Sequence, residues 1–122
     1  MVIKIISILL FLIFFVNSLK LKGDSGKNFS SSCDNIKLNG STLSATCKNR
    51  KNTKFNSSID LNKFIGIDRG QLKFKIKGNY SQDVDSCKLE STILKCVLKS
   101  DQSNVEINLN DVVGNSNGSL YN

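Results

Sequence analysis

The sequence predicts a mostly β, pseudo-symmetric domain written as a tandem repeat and preceded by a signal peptide. Three observations carry this. A short motif occurs twice, apolar and polar residues alternate through each copy, and four cysteines follow a basic-then-apolar N-terminus in a chain of 122 residues. That length holds one domain of roughly 100 residues rather than two independent cores.

The N-terminus comes first. Met1 to Lys4 is a short basic start, and Ile5 to Val16 is an unbroken apolar run of 12 residues. Such a run falls short of the roughly 20 residues that span a ~30 Å hydrocarbon core. Val16-Asn17-Ser18 places small residues before a plausible cut, so residues 1–18 read as a secretory signal peptide, 19–27 as a short leader and 28–122 as the domain. No second apolar run follows, so the mature chain is expected to be soluble and secreted, with no stable membrane anchor after cleavage.

Composition narrows the chemistry. There is no His, which excludes a Ser-His or Cys-His nucleophile pair and a His-ligated zinc site. The aromatics left for a core are Phe29, Phe55, Phe64, Phe74, Tyr80 and Tyr121, so covalent staples would help. Cys33, Cys47, Cys87 and Cys96 read as two disulfides in an oxidising compartment, with three connectivities open on paper. Sequons at Asn28, Asn39, Asn56, Asn79 and Asn117 fit the same compartment and a glycoprotein.

The repeat fixes the element order. Ser58-Ile59-Asp60-Leu61-Asn62 recurs 48 residues on as Glu106-Ile107-Asn108-Leu109-Asn110, and upstream Phe29, Leu38 and Leu43 match Tyr80, Leu89 and Leu94 at a spacing of 51. The copies are about 29–74 and 80–122, with three residues fewer before the second motif. Ile36, Leu38, Leu43, Ala45 and Cys47 alternate with polar residues around Asn39-Gly40, a hairpin signal. Phe55, Ile59 and Leu61, and Val105, Ile107 and Leu109, alternate in the next strand. Asn62 to Gly66 and Asn110 to Gly114 read as short helical turns with an Asn cap and a closing Gly. Gly70 and Gly118 open the next hairpin. Lys73, Lys75 and Lys77 alternate with Phe74 and Ile76 and are expected to form the polar face of a strand.

The cysteines sit asymmetrically on this frame. Cys33 and Cys47 flank the first hairpin, where the second copy has Val84 and Leu98; Cys87 and Cys96 take the positions of Ile36 and Ala45. Each pair faces across two hairpin strands, so local pairing, Cys33 with Cys47 and Cys87 with Cys96, is expected. Each closure contributes ~2–3 kcal/mol in the chain-entropy model.

FSSSC, LNGSTLSATC, SSIDLN and IGIDRGQL, followed by a degenerate second copy, resemble the cyanovirin-N homology family over about Asn28 to Tyr121. The resemblance implies two halves, each a triple-stranded sheet plus a β-hairpin, with strands exchanged between repeats. It implies a lectin that binds mannose-rich glycans in a shallow pocket at each end, as a monomer or a strand-exchanged dimer. By position, the first pocket would use Asn28, Ser31, Ser32, Lys48, Arg50, Asn115, Ser116 and Asn117. The second would use Gly66, Ile67, Asp68, Arg69, Asn79, Gln82, Asp83, Lys99, Ser100 and Asp101. Amides, hydroxyls and a few fixed charges suit sugar hydroxyls. The sequence departs from the family where Gly66 replaces an acidic residue and Asp101 a basic one, and sequons fall within both pockets.

No carboxylate pair stands out for glycoside hydrolysis, and Asp60 of the first motif is Asn108 in the second, so an enzyme is not expected. No cofactor or metal is expected either, since no acidic cluster has calcium-loop spacing. The net charge of +7 and the Lys48–Lys54 loop support a second reading, a basic module of the same fold that has lost sugar binding and attaches to anionic surfaces. Nucleic acid is not an expected partner, because no aromatic platform interleaves the lysines.

Overall fold

Alternation and turn residues resolve into ten strands in the computed structural model, which describes residues 27–122. The signal-peptide reading, and all of the leader before Lys27, lie outside the described residues. Strands β1 (Cys33–Asn39), β2 (Thr42–Lys48) and β3 (Lys54–Asp60) form an antiparallel sheet with β2 in the middle. A hairpin of β4 (Ile65–Asp68) and β5 (Gln71–Phe74) follows. The order then repeats: β6 (Val84–Glu90), β7 (Ile93–Leu98) and β8 (Asn104–Asn108) form the second sheet, β9 (Gly114–Ser116) and β10 (Ser119–Tyr121) the second hairpin. β5 lies against β8 and β10 against β3, so each repeat packs its hairpin on the other repeat's sheet within one chain.

The turns explain the registers. Arg69-Gly70 and Asn117-Gly118 join their hairpins with positive φ at both residues, the geometry whose twist matches two right-twisted strands. The sheet hairpins turn one residue later than Asn39-Gly40 suggests: Asn39 still pairs with Thr42, and Gly40-Ser41 forms the turn. The reason is that Gly40 is needed at the first central position, where φ is +61°. In the second sheet Ser91 takes that place at φ +56°. The shortened loop is visible in the pairing, since Thr46↔Asn56 encloses nine residues and Val97↔Asn104 encloses six.

The helical turns are 3-10 turns, Leu61–Lys63 and Leu109–Asp111, and their caps correct the sequence reading. Asp60 and Asn108 cap them, accepting from the amides of Asn62 and Asn110. Asn62 and Asn110 reach instead to the other repeat. Asn110 donates to Ser30 Oγ at 2.8 Å and accepts from the Ser30 amide at 3.1 Å; Asn62 makes the same pair with Ser81 at 2.7 and 3.0 Å. Gly66 and Gly114 do not close the turns. They lie in β4 and β9, where the chain of the other repeat bridges to them at Asn79 and Asn28.

The core is built from repeat-equivalent pairs: Phe29 with Tyr80, Leu43 with Leu94, Leu61 with Leu109, Ile65 with Val113, all buried. No polar or charged side chain is buried among the described residues. The disulfides Cys33–Cys47 and Cys87–Cys96 tie β1 to β2 and β6 to β7. Three expected core aromatics are not inside: Phe55, Phe74 and Tyr121 are 47%, 50% and 43% exposed. Phe55 covers Gly118 of the exchanged hairpin, and Phe74 leans on Phe64 with ring centroids 6.3 Å apart. The Lys73–Lys77 stretch is also not a single strand. β5 stops at Phe74, because Lys75 and Lys77 donate their amides to Phe64 and Lys63 rather than to a ladder, and Ile76 stays exposed.

Candidate functional site

Each end of the molecule carries a depression where one repeat's first residues and β2–β3 type loop meet the other repeat's exchanged hairpin. At the first end Ser32, Lys48, Asn49, Arg50, Asn115, Ser116, Asn117 and Tyr121 line a shallow hollow of about 340 Å³. The Asn115 amide organises it. Its Nδ2 donates to Ser32 Oγ at 2.8 Å and to the Lys48 carbonyl at 2.9 Å, and its Oδ1 accepts from the Gly118 amide at 2.8 Å. One side chain thereby fixes the entry to β1, the end of β2 and the turn between β9 and β10. Asn117, at the tip of that turn, accepts from the Arg50 amide at 3.0 Å and holds the loop tip beside it. Within the loop, Asn49 accepts from the amides of Lys51 and Thr53, which closes a compact turn and presents Arg50.

Six of the eight residues expected at this end line the hollow: Ser32, Lys48, Arg50, Asn115, Ser116 and Asn117. Asn28 and Ser31 do not. Asn28 bridges its backbone to Gly114, and the Ser31 hydroxyl donates to the Asn28 carbonyl at 2.9 Å. Asn49 and Tyr121 are additions. Tyr121 sits opposite Gly114 in the hairpin register, and a Cβ on Gly114 would lie 2.5 Å from its ring, so the glycine lets the ring lie flat on the strand. That signal is legible from the Gly-to-turn spacing once the hairpin is drawn. Lys27 Nζ stands 5.0 Å from the centre of the same ring.

The second end gathers Ile67, Gln82, Asp83, Leu98, Lys99 and Ser100 around a hollow of about 500 Å³. The Lys99 amide donates to the Asp83 carbonyl as the Lys48 amide does to Ser32, so the two ends tie these segments together in the same way. Gly66, Asp68, Arg69, Asn79 and Asp101 do not line it, and Leu98 is an addition. Gly66 is buried, with Gly78 packed where a side chain would go; Asn79 bridges to it. Asp68 and Arg69 lie at the hairpin tip. The Asp101 carboxylate is used locally: the Ser103 hydroxyl and amide donate to it and lower its pKa. Ile67 stands where the first end has Asn115, so this hollow lacks the central amide.

Two other hollows lie away from the ends, one where β1 meets β6 and one over the Cys87–Cys96 disulfide. Neither holds a comparable set of fixed amides. Among the described residues no three His, Cys, Asp or Glu side chains gather as metal ligands.

A family model described as the CVNH domain matches residues 29–121. Among solved structures, TbCVNH of T. borchii is 30% identical with a TM-score of 0.67, over 77% of this chain and 97% of that one. A MoCVNH3 variant solved in complex with (N-GlcNAc)4 is 20% identical with a TM-score of 0.73, over 77% and 95%. Microvirin, solved as a mannobiose complex, is 24% identical with a TM-score of 0.62, over 77% and 96%. The matched part fills nearly the whole of each relative. No match is found among curated proteins.

Proposed function

The chain belongs to the CVNH domain family, and on that premise we propose that it is a secreted, non-enzymatic lectin that holds mannose-rich oligosaccharides or glycoproteins at the first depression, without metal. The observation that carries the reading is the Asn115 amide, which pre-sets three separate chain segments around one hollow before any ligand arrives. The hydroxyl of Ser116, the cations of Lys48 and Arg50 and the phenol of Tyr121 line that hollow and suit sugar hydroxyls. Two relatives in this fold were solved with sugars, one with mannobiose and one with a GlcNAc tetramer, which supports the class of ligand. Because each hairpin exchange closes inside one chain, both ends are complete in a monomer.

The test is titration of disulfide-bonded, unglycosylated residues 19–122 with an α1,2-linked mannose disaccharide, followed by backbone amide shifts. Shifts at Ser32, Lys48 to Arg50 and Asn115 to Asn117 support the reading, and their persistence with a chelator supports metal-free binding. No shift there at millimolar disaccharide overturns it.

A further inference from the structure

The two ends are built by the same hairpin exchange and differ in charge. At the first, Lys48 and Arg50 line the hollow and no Asp or Glu does. Neither cation lies within 4.0 Å of a carboxylate; the ion pairs among the described residues are Lys54–Asp34, Lys88–Glu90 and Lys95–Glu90. Lys27, above the Tyr121 ring, adds a third cation beside the rim. At the second end Asp83 lines the hollow in the place that Ser32 holds at the first, fixed by the equivalent amide-to-carbonyl bonds from Lys99 and Lys48. Lys99 is then matched by a carboxylate in the same hollow, and Asp101, two residues past Lys99, stands where Arg50 stands past Lys48. A neutral sugar needs no such contrast. A ligand that carries negative charge would be drawn to the first end and gain nothing at the second, where one cation and one carboxylate cancel.

We infer that the first depression selects glycans bearing a tetrahedral oxyanion ester, a phosphate or a sulfate on a mannose-type sugar, and that the second does not. This rests on the carbohydrate-binding reading above and names the ligand class for its first site. The chemistry divides between two kinds of group. Asn115 spends its amide on Ser32, Lys48 and Gly118, so it builds the floor. The Arg50 backbone is fastened by Asn117, which sets the guanidinium's root at the rim. A planar guanidinium pairs with two oxygens of a phosphate or sulfate at once, and the Lys48 ammonium supplies a point charge beside it. Both side chains are exposed, so the gain is moderate and screened by salt.

The test compares mannose, mannose 6-phosphate, mannose 6-sulfate, the α1,2-linked disaccharide and inorganic phosphate on unglycosylated residues 19–122, by amide shifts at low salt and in 1 M NaCl. At the first depression the charged sugars are expected to bind about tenfold more tightly than mannose at low salt, and only about twofold in 1 M NaCl. At the second depression the ratio is one or less. The double variant Lys48→Gln, Arg50→Gln is expected to bring the first-site ratio to about one. A first-site ratio of one in the parent chain, with the neutral disaccharide still bound, overturns this inference and leaves the lectin reading standing. So does a ratio that survives the double variant. Inorganic phosphate binding as tightly as the sugar phosphate overturns it as well, because the site would then read charge and not glycan. No shift with any sugar removes both readings together.

Discussion

Replacing Asn115 with alanine removes the three hydrogen bonds that hold the first depression together, without touching the core. The bonds are 2.8, 2.9 and 2.8 Å long and join groups 83, 67 and 3 residues away in sequence. A net hydrogen bond contributes about 0.5–1.5 kcal/mol, and partial exposure lets water reach the abandoned partners, so the loss should total about 2 kcal/mol. With a urea m-value of about 1 kcal/mol/M for a small disulfide-bonded domain, the midpoint falls by about 2 M. Urea unfolding of residues 19–122 followed by circular dichroism, with disulfides intact, reads this directly. Asn115→Asp is the control. It keeps an acceptor for Gly118 but turns a second oxygen toward the Lys48 carbonyl, so it should be at least as destabilising as alanine. A midpoint shift below about 0.5 M for both variants would refute the claim that this amide organises the end.

Three further outcomes follow from the same structure. Tyr80 is buried, and burial together with the charge of Asp60 pushes its phenol up to about 12 from 10. The unfolded chain therefore releases that proton first, so stability present below pH 10 is lost between pH 10 and 12, by up to about 2–3 kcal/mol; Tyr80→Phe, which copies its repeat partner Phe29, should lose correspondingly less over that interval in urea titrations at each pH. Ser91→Gly should raise stability by about 1 kcal/mol, since Ser91 has φ +56° where the first repeat uses Gly40, and an unchanged midpoint would count against strain at that turn. Gly118→Ala should cost more than about 2 kcal/mol, because φ is +96° and the added Cβ would lie 2.8 Å from Phe55 Cδ2, with amide shifts reaching Phe55 and Asn115.

Much of this architecture is legible from local rules. The doubled motif at spacings of 51 and 48 yields the two sheets and their hairpins, and the core pairs Phe29/Tyr80, Leu43/Leu94 and Leu61/Leu109 follow from it. Cys87 and Cys96, displaced from the first repeat's pair, still sit on facing rungs because they moved by compensating steps on β6 and β7. The errors share one cause. Asn62 looks like a helix cap, yet the nearer Asp60 caps the turn, and Asn62 is used by Ser81 of the other repeat. Phe55 and Phe74 alternate as core residues should, yet Phe55 is covered only in part by the short exchanged hairpin and Phe74, at the end of its own hairpin, leans only on Phe64. Of the residues expected at the two ends, Asn28 and Gly66 also serve as joints between repeats, through the backbone bridges Asn28↔Gly114 and Gly66↔Asn79.

The sequence by itself therefore determined the class of fold, the pairing of cysteines and the order of strands. Each is governed by periodicity, turn chemistry and the repeat of one short pattern along the chain. The tertiary structure alone decided which faces are covered, which polar side chains join the repeats, and that Asn49 and Tyr121 join Asn115, Ser32 and Arg50 in one hollow. Those outcomes depend on where the exchanged hairpin lands on the other repeat's sheet, and that position is set by contacts between residues as much as 83 apart, which no local pattern encodes.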